Sequence, residues 1–348
     1  MLQVSKVCNF KNLFIGRSKL LHCMRNYYVY HISFFESLLI GLERNGINLN
    51  NLTRQSFISR FDLKNPDTYL PIEVGYEFFR KVKDYQGVDC ISSEFYSGFQ
   101  IDELSDYGKF LSRCPDLFSI LTNAIRYDYL IQSSGKLSLR TDGPVSYFTM
   151  RHVDTQSDGR LVSEKINVAM ILKAFKYVLG SKWTPIEIQV TSPDGYWIKD
   201  LLPTFDFNLK TDCRDITIVF KTVELASKNR FYSPGIRLSD MKLDSIEQIA
   251  ESVFKGMNGN YIPTLKEFAD FFGYSSRTCI RHFSSSGKTY RNLVDRYVFT
   301  KSLGLLENTA LTVNEISFQL GYSHASNFIR AFKAWTSSTP EQYRQLLN

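Results

Sequence analysis

Two short stretches near the end of this 348-residue chain carry basic side chains spaced for one face of a helix. Arg277 and Arg281 are four residues apart, and Arg330 and Lys333 are three apart. Residues at these spacings are neighbours on an α-helix, where like charges repel by about 0.2–0.5 kcal/mol. No acidic residue accompanies the first pair on its face, so a bound anion would relieve the repulsion. These residues predict recognition of phosphate groups or of guanine edges.

A solvated face is the alternative explanation for one such helix, but the same eight-residue pattern precedes both, as Phe268–Ser275 and Ile316–Ser323. Gly273 and Gly321 lie where a helix must end and turn sharply, which often requires a positive φ. The serine that ends each copy can cap the helix that follows. The repetition predicts two helix-turn-helix units, in each of which the second helix faces the major groove of DNA.

The first helix of each unit also has its own start signal. Thr264 with Glu267, and Thr312 with Glu315, fit the capping box, in which two side chains satisfy free backbone N–H groups. The apolar residues that follow fall on one face: Leu265, Phe268, Ala269 and Phe272 in the first unit, and Val313, Ile316 and Leu320 in the second.

In the second helices, the inward stripes are Cys279 and Phe283 in one unit and Phe328, Phe332 and Trp335 in the other. The residues predicted to contact DNA are Ser275, Ser276, Arg277, Thr278, Ile280, Arg281, His324, Ala325, Ser326, Asn327, Arg330 and Lys333. Asn327 has two interpretations: it can pair with adenine, or it can be a structural residue that locks the turn.

The stretch Pro263 to Arg344 resembles the DNA-binding domain of the AraC/XylS family of bacterial transcription regulators, which has two helix-turn-helix units joined by a long helix. The second unit matches through Gly321-Tyr322-Ser323, Asn327-Phe328, Arg330-Ala331-Phe332-Lys333, Trp335-Thr336, Pro340 and Tyr343-Arg344. The first matches through Ala269, Gly273, Ser275, Arg277-Thr278, Arg281 and Gly287, and the linking helix, near Tyr290 to Leu306, through Leu293, Asp295, Leu303, Leu305 and Leu306.

The sequence departs from the family pattern at several positions. Val298 and Ser302 stand in the linking helix where the family usually has arginine and alanine. Ser317 replaces a small alanine before the second turn, and Ser337 replaces a glycine after Trp335. The linking helix also contains Gly304, which costs about 0.8–1 kcal/mol relative to alanine. These changes put local stability and one phosphate contact in question.

Residues 33–227 predict an α+β domain, whereas residues 244–348 predict an all-α domain. The expected helices begin at Ser33 (capped with Glu36), Pro71 and Pro115 and span Leu161–Leu179; the expected strands are Lys136–Thr141, Val145–His152, Ile186–Val190 and Ile216–Phe220. The order resembles an arabinose-binding-like domain that binds ligands and forms dimers. That match rests on Gly46, Leu52, Pro71, Gly98 and Cys114-Pro115-Asp116-Leu117.

Three further segments complete the predicted organisation. Residues 1–32 contain five basic residues and no acidic one, which predicts a poorly ordered basic extension or a native start at Met24. A linker is expected over residues 228–243, and Asp244 with Glu247 is expected to cap the first helix of the DNA-binding domain.

Composition narrows the function. The net charge is +7 overall, while residues 244–348 contain 11 basic and 9 acidic residues, so positive potential there depends on placement. Six cysteines without C-x-x-C spacing indicate a reducing cytoplasm and argue against a zinc site. The five histidines show no metal-ligand spacing, no common enzyme motif is present, and no stretch of 18 apolar residues occurs. No cofactor or metal is therefore expected.

The resemblance implies a cytoplasmic transcription regulator of bacteria, typically an activator, that associates with the nucleoid when it binds double-stranded DNA. It further implies a homodimer, contact with RNA polymerase, and a small-molecule effector in the N-terminal domain, whose contact residues remain open. Two alternatives stay open here. One is a regulator controlled by protein partners without a ligand, and the other is an enzyme tethered to DNA by its C-terminal domain.

Overall fold

The computed structural model describes residues 27–44, 46–54, 56–86, 100–103, 105–132, 135–152, 159–202, 204, 206–234, 245–259 and 261–347. Its N-terminal part combines helices with a sheet and its C-terminal part is helical, which confirms the predicted fold class. Residues 1–26, most of the linker and Gly98 lie outside the described residues.

A five-stranded sheet of order β3-β4-β7-β5-β6 forms the centre of the N-terminal part. Its strands are β3 (Gly135–Asp142), β4 (Val145–His152), β5 (Glu187–Gln189), β6 (Asn208–Lys210) and β7 (Ile216–Lys221). All neighbours pair antiparallel except β5 and β6. The predicted β3–β4 hairpin is confirmed, and Gly143 at its tip has φ +58. A long helix, α6 (Gly159–Leu179), covers the sheet, where its Phe175 ring contacts Phe148 and Phe220.

Shorter elements precede this sheet. They are β1 (Val29–His31), α1 (Ile32–Arg44), α2 (Leu49–Arg54), β2 (Tyr69–Pro71), α3 (Ile72–Gln86), α4 (Ser105–Ser112) and α5 (Leu117–Tyr127), and α7 (Ile198–Leu201) lies between β5 and β6. The predicted cap at Ser33 is wrong, because α1 starts one residue earlier and the Ser33 hydroxyl lies 2.8 Å from Nδ1 of His31. Pro115 precedes the helix it was expected to open, and Asp116 is the N-cap of α5.

The C-terminal part is a series of helices. These are α8 (Ile246–Lys255), α9 (Leu265–Phe271), α10 (Ser276–Ser285), α11 (Tyr290–Asn308), α12 (Val313–Gln319), α13 (Ala325–Thr336) and α14 (Pro340–Leu347). The predicted cap of α8 is shifted by one residue: Ser245 accepts from the backbone N–H of Gln248, and the Gln248 side chain accepts from the backbone N–H of Ser245. Glu247 lies in the first turn without the capping role.

Contacts at both ends of the N-terminal part bear on the boundaries predicted at residues 32 and 228. Tyr27 to Ile32 are not part of an extension, since β1 pairs with β2 and Tyr27 is buried. The linker does not start at residue 228, because the buried Asn229 side chain donates hydrogen bonds to the carbonyls of Ser112 and Cys114 at 2.7 and 2.8 Å. Residues 228–231 therefore belong to the N-terminal part.

The buried apolar side chains form two clusters. The larger extends without interruption from the N-terminal part into α8, α9, α10 and the start of α11, where Leu293 is its last member. The smaller consists of Val298, Leu306, Ile316, Leu320, Phe328 and Phe332. In the part of the chain that the structure describes, no helix is both long and apolar enough to traverse a bilayer.

Candidate nucleic-acid interface

The first helix-turn-helix unit, α9 and α10, is built as its residues predict. The Thr264 hydroxyl accepts from the backbone N–H of Glu267, whose carboxylate in turn accepts from the backbone N–H of Thr264 at 2.8 Å. Gly273 in the turn has φ +68, a conformation that other residues adopt only with strain. Ser275 caps α10 by accepting from the backbone N–H of Thr278 at 3.2 Å.

The outward face of α10 is basic. Arg277 and Arg281 are exposed, as is the side chain of Ile280 between them at 52 %, whereas Cys279 and Phe283 are buried beneath. Ser276 and Thr278 are half-buried. The hydroxyls of Ser275 and Thr278 lie 3.0 Å apart, so their first role is to fix the start of the helix.

The second unit, α12 and α13, repeats this plan with one change. Thr312 and Glu315 form the expected capping box, and Gly321 has φ +83. The predicted cap at Ser323 is wrong, since His324 occupies the N-cap position of α13 and its side chain makes no capping hydrogen bond. The exposed His324 imidazole at the tip of α13 is therefore not used as a cap.

The outward face of α13 is also polar and basic. Ser326, Asn327, Arg330 and Lys333 are exposed, while Ala325 is half-buried. The Arg330 guanidinium donates to Oδ1 of Asn327 at 2.7 Å, which restricts the guanidinium to one side of the helix. Asn327 thus has a structural partner, although the residue itself is exposed.

The departures from the family pattern have local explanations. Val298 is buried in the smaller cluster, and Ser302 is buried with its hydroxyl bonded to the carbonyl of Phe299 at 2.7 Å. The hydroxyl of buried Ser317 donates to the carbonyl of Asn314. Ser337 has φ +63, so the serine occupies a left-handed conformation that a glycine adopts without cost.

Tyr27 is the residue that sequence reasoning missed. Its ring lies within 6.2 Å, centroid to centroid, of five rings of the first unit: Phe268, Phe272, Tyr274, His282 and Phe283. Its hydroxyl lies 3.2 Å from Nδ1 of His282 on α10. Burial, together with the charge of Arg281, lowers the pKa of His282, which favours the neutral ring at this contact. No signal in residues 1–32 distinguishes this tyrosine from its neighbours.

A second set of contacts joins the N-terminal part to the same unit. The ring of Phe271 on α9 lies 5.6 Å from those of both Phe57 and Phe61. The backbone N–H of Asp62 donates to the carbonyl of Gly256 at 2.8 Å, and the backbone N–H of Asn258 donates to that of Arg60 at 2.7 Å. The first helix-turn-helix unit is therefore packed on the N-terminal part, while Arg277 and Arg281 on α10 stay exposed.

The described residues contain no group of three or more His, Cys, Asp or Glu side chains arranged to hold a metal ion. The exposed basic faces of α10 and α13, each positioned by a capped helix and a glycine turn, can make charge-assisted hydrogen bonds to phosphates and to base edges.

Comparisons with known proteins agree with this geometry. The sequence profile of a family described as "Helix-turn-helix domain" matches residues 268–346. The ornithine utilization regulator of Pseudomonas aeruginosa is 39% identical over 83 residues, which are 24% of this chain and 24% of that protein. The transcriptional regulator VqsM of the same organism is 30% identical over 107 residues, which are 31% of this chain and 33% of that protein.

The chain thus spans about a quarter to a third of the length of these curated relatives. The crystal structure of the regulator CdpR from Pseudomonas aeruginosa aligns over 90% of this chain and 98% of that one, with 15% identity and a TM-score of 0.41. The match to the family profile lies in the C-terminal third of the chain. That C-terminal region belongs to the helix-turn-helix domains of the AraC type.

Proposed function

We propose that the chain is a sequence-specific DNA-binding transcription regulator. The observation that carries this proposal is the repetition of one geometry: α10 and α13 each follow a capped helix and a positive-φ glycine, and each exposes a basic face. Two such helices in one chain suit successive major grooves on one side of B-DNA, which are about 34 Å apart.

Within this proposal the exposed arginines have the main roles. Arg281 and Arg330 contact guanine edges or phosphates, Arg277 contacts the same groups, and Lys333 contacts phosphate. The hydrogen bond from Arg330 to Asn327 supports this assignment, because a guanidinium that is already oriented loses less freedom on binding. The remaining contacts expected at the tips of the helices come from Ser275, Ser276, Thr278, Ile280, His324, Ala325 and Ser326.

We further propose that residues 27–231 form the effector-binding and dimerisation domain of a homodimeric, cytoplasmic regulator that contacts RNA polymerase. The shared core supports control by this domain: Tyr27 and Phe61 pack directly on the first helix-turn-helix unit. A ligand that changed the position of either residue would change the presentation of α10, which is the differential contact that control requires.

The test begins with selection of bound sequences from random DNA by the full chain. Fluorescence anisotropy on a selected site then compares Arg281→Ala, Arg330→Ala and, as a matched control, Lys182→Ala on the exposed surface of the N-terminal part. Each arginine variant is expected to lose about 1–3 kcal/mol of binding free energy, roughly 5- to 150-fold in affinity, with no loss in the control. Unchanged affinity in both arginine variants would refute the assignment.

A further inference from the structure

The N-terminal part contains a cavity of about 70 Å³ between α5, α6 and the strands β3 and β4. Most of its wall is apolar, with Leu121, Ala124, Phe148 and Ile171 among the lining residues. A cavity needs about 10–15 Å³ of such space to hold one water molecule. The space therefore suits a molecule of about five or six non-hydrogen atoms.

One side of the cavity is polar. Gln132 lines it and is only 6 % exposed, yet its Oε1 has no hydrogen-bond partner among the described residues. A buried amide oxygen without a partner costs about 1–3 kcal/mol, so a donor supplied from within the cavity would be favourable. The carboxyl of Asp128 also lines the cavity, and its burial raises its pKa to about 7.

These groups define the ligand by chemistry. An amide oxygen and a carboxyl group both accept hydrogen bonds. A ligand carboxylate would face the Oε1 acceptor without a hydrogen to donate, and above the pKa of Asp128, about 7, the ionised Asp128 would also repel it. The apolar wall selects a hydrocarbon body, and the polar side selects a head with N–H or O–H donors. A short aliphatic amine or alcohol satisfies both requirements, and the acidic Asp128 favours the amine.

The polar side of this cavity is linked to the first helix-turn-helix unit by one short segment. Gln132 forms an antiparallel bridge with Tyr30 of β1. The Tyr30 hydroxyl lies 2.8 Å from that of Ser163, and the Ser163 carbonyl accepts from the amide of Asn167, which also lines the cavity. Three residues before Tyr30 stands Tyr27, whose ring packs inside the first unit.

We propose that this cavity is the effector site, that it binds a small molecule with an apolar body and a hydrogen-bond-donating head, and that the segment Tyr27–Tyr30 transmits its occupancy to α10. The proposal rests on the proposed function, because it names the site and ligand class for the control described there. Binding at Gln132 would shift β1, and a shift of β1 would move Tyr27 against α10.

The test uses the two methionines that line the cavity, Met150 and Met170, as reporters. The full chain is labelled with ¹³C at its methionine methyl groups and titrated with n-butylamine, n-butanol or butyrate. Saturable shifts of both methyl signals with the amine or the alcohol, and none with butyrate, are expected. A stronger response to the amine assigns the head group as an ammonium, and a stronger response to the alcohol assigns it as a hydroxyl.

Two variants locate the binding. Gln132→Leu is expected to weaken the response about tenfold, because it removes the free acceptor. Gln345→Leu on the exposed surface of α14 is the matched control for Gln132→Leu and should leave the response unchanged. Ala124→Leu is expected to abolish the response by filling the cavity. Unshifted methyl signals with both donor ligands, or an undiminished response in Ala124→Leu, would overturn the proposal.

DNA affinity on a selected site is measured in the same samples. A change of at least a few-fold on addition of the donor ligand, lost in Tyr27→Ala but present in Tyr27→Phe, is the expected result. Binding in the cavity without any change in DNA affinity would overturn the transmission step. Failure of the unliganded wild-type chain to bind any selected DNA would instead refute the proposed function and is distinguishable from failure of the cavity site.

Discussion

The two helix-turn-helix units share one sequence plan but have different surroundings. The core of the first is continuous with that of the N-terminal part, through Tyr27 and Phe61. The core of the second is a separate cluster of six buried residues that packs on α11 and α14. The comparison teaches that one half of a repeated motif can pack against the N-terminal part while the other half packs in a cluster of its own.

This difference assigns separate roles to the two units. A displacement of Tyr27 or Phe61 would act on the first unit directly, because their rings lie against rings of α9 and α10. In the part of the chain that the structure describes, the two clusters meet at α11: Leu293 belongs to the larger cluster, Val298 and Leu306 belong to the smaller one, and Val294 and Tyr297 pack against both. The following experiments test this division, from the largest expected effect to the smallest.

Tyr27→Ala is expected to have the largest effect on stability. It removes a buried ring that packs among five others, so the free energy of unfolding should fall by about 3–5 kcal/mol in denaturant titrations. Tyr27→Phe keeps the ring and loses the hydroxyl contacts with His282 and Cys279, so a loss of about 0.5–1.5 kcal/mol is expected. Equal small losses in the two variants would show that the first unit does not depend on this ring.

Phe332→Ala should destabilise the protein by a similar amount, but only in the second helix-turn-helix unit and the helices next to it. The side chain is fully buried in the smaller cluster, so its removal should cost that cluster about 3–5 kcal/mol. Hydrogen exchange should then accelerate in α12, α13 and α14 while α9 and α10 keep their protection. Parallel loss of protection in both units would mean that they unfold as one.

The buried Asp128 should make the stability of the larger cluster, but not that of the smaller one, depend on pH. Burial raises its folded pKa from 3.8 to about 7, so folding takes up a proton between these values and stability falls as the pH rises through this range. The Lys136 ammonium and the neutral Tyr107 phenol face the same carboxyl. The advantage of Asp128→Asn over wild type should therefore grow by about 2–3 kcal/mol between pH 5 and pH 8.

Asp142→Asn on the exposed hairpin tip is the matched control, and it should show no such growth. A constant difference between Asp128→Asn and wild type across this pH range would contradict the burial of the carboxyl. Exchange protection of α13 should not change with pH in either variant.

Gly304→Ala should give the smallest effect. A Cβ at this position in α11 meets nothing within 4 Å, so the gain should be about the helix-propensity difference of 0.8–1 kcal/mol. Gly321→Ala is the informative counterpart, because φ at Gly321 is +83 and a side chain there is strained. A loss of stability in Gly304→Ala would mean that the added Cβ clashes with a neighbouring atom, which contradicts the open space at this position.

Much of the C-terminal domain could be predicted from sequence, because its signals are local. The capping boxes at Thr264 and Thr312 and the turns at Gly273 and Gly321 involve residues a few positions apart. Ser323 misled, since a serine next to a helix start need not be the residue with the capping conformation. The exposure of Arg281 and Arg330 followed from the same periodicity that buried Phe283 and Phe332.

The connection between the two parts could not be predicted, because it is not local. Tyr27 and His282 are 255 residues apart, and β1 has only three residues, too few to show a periodicity. The cavity likewise depends on Gln132 meeting α6 and β1, which no spacing in the sequence indicates.

The most direct test of DNA recognition by both units is a hydroxyl-radical footprint of the full chain on a selected site. The wild type should protect two regions about one helical turn apart, Arg281→Ala should lose or weaken one, and Arg330→Ala the other. A footprint that neither variant alters, or protection of a single region by the wild type, would contradict the account.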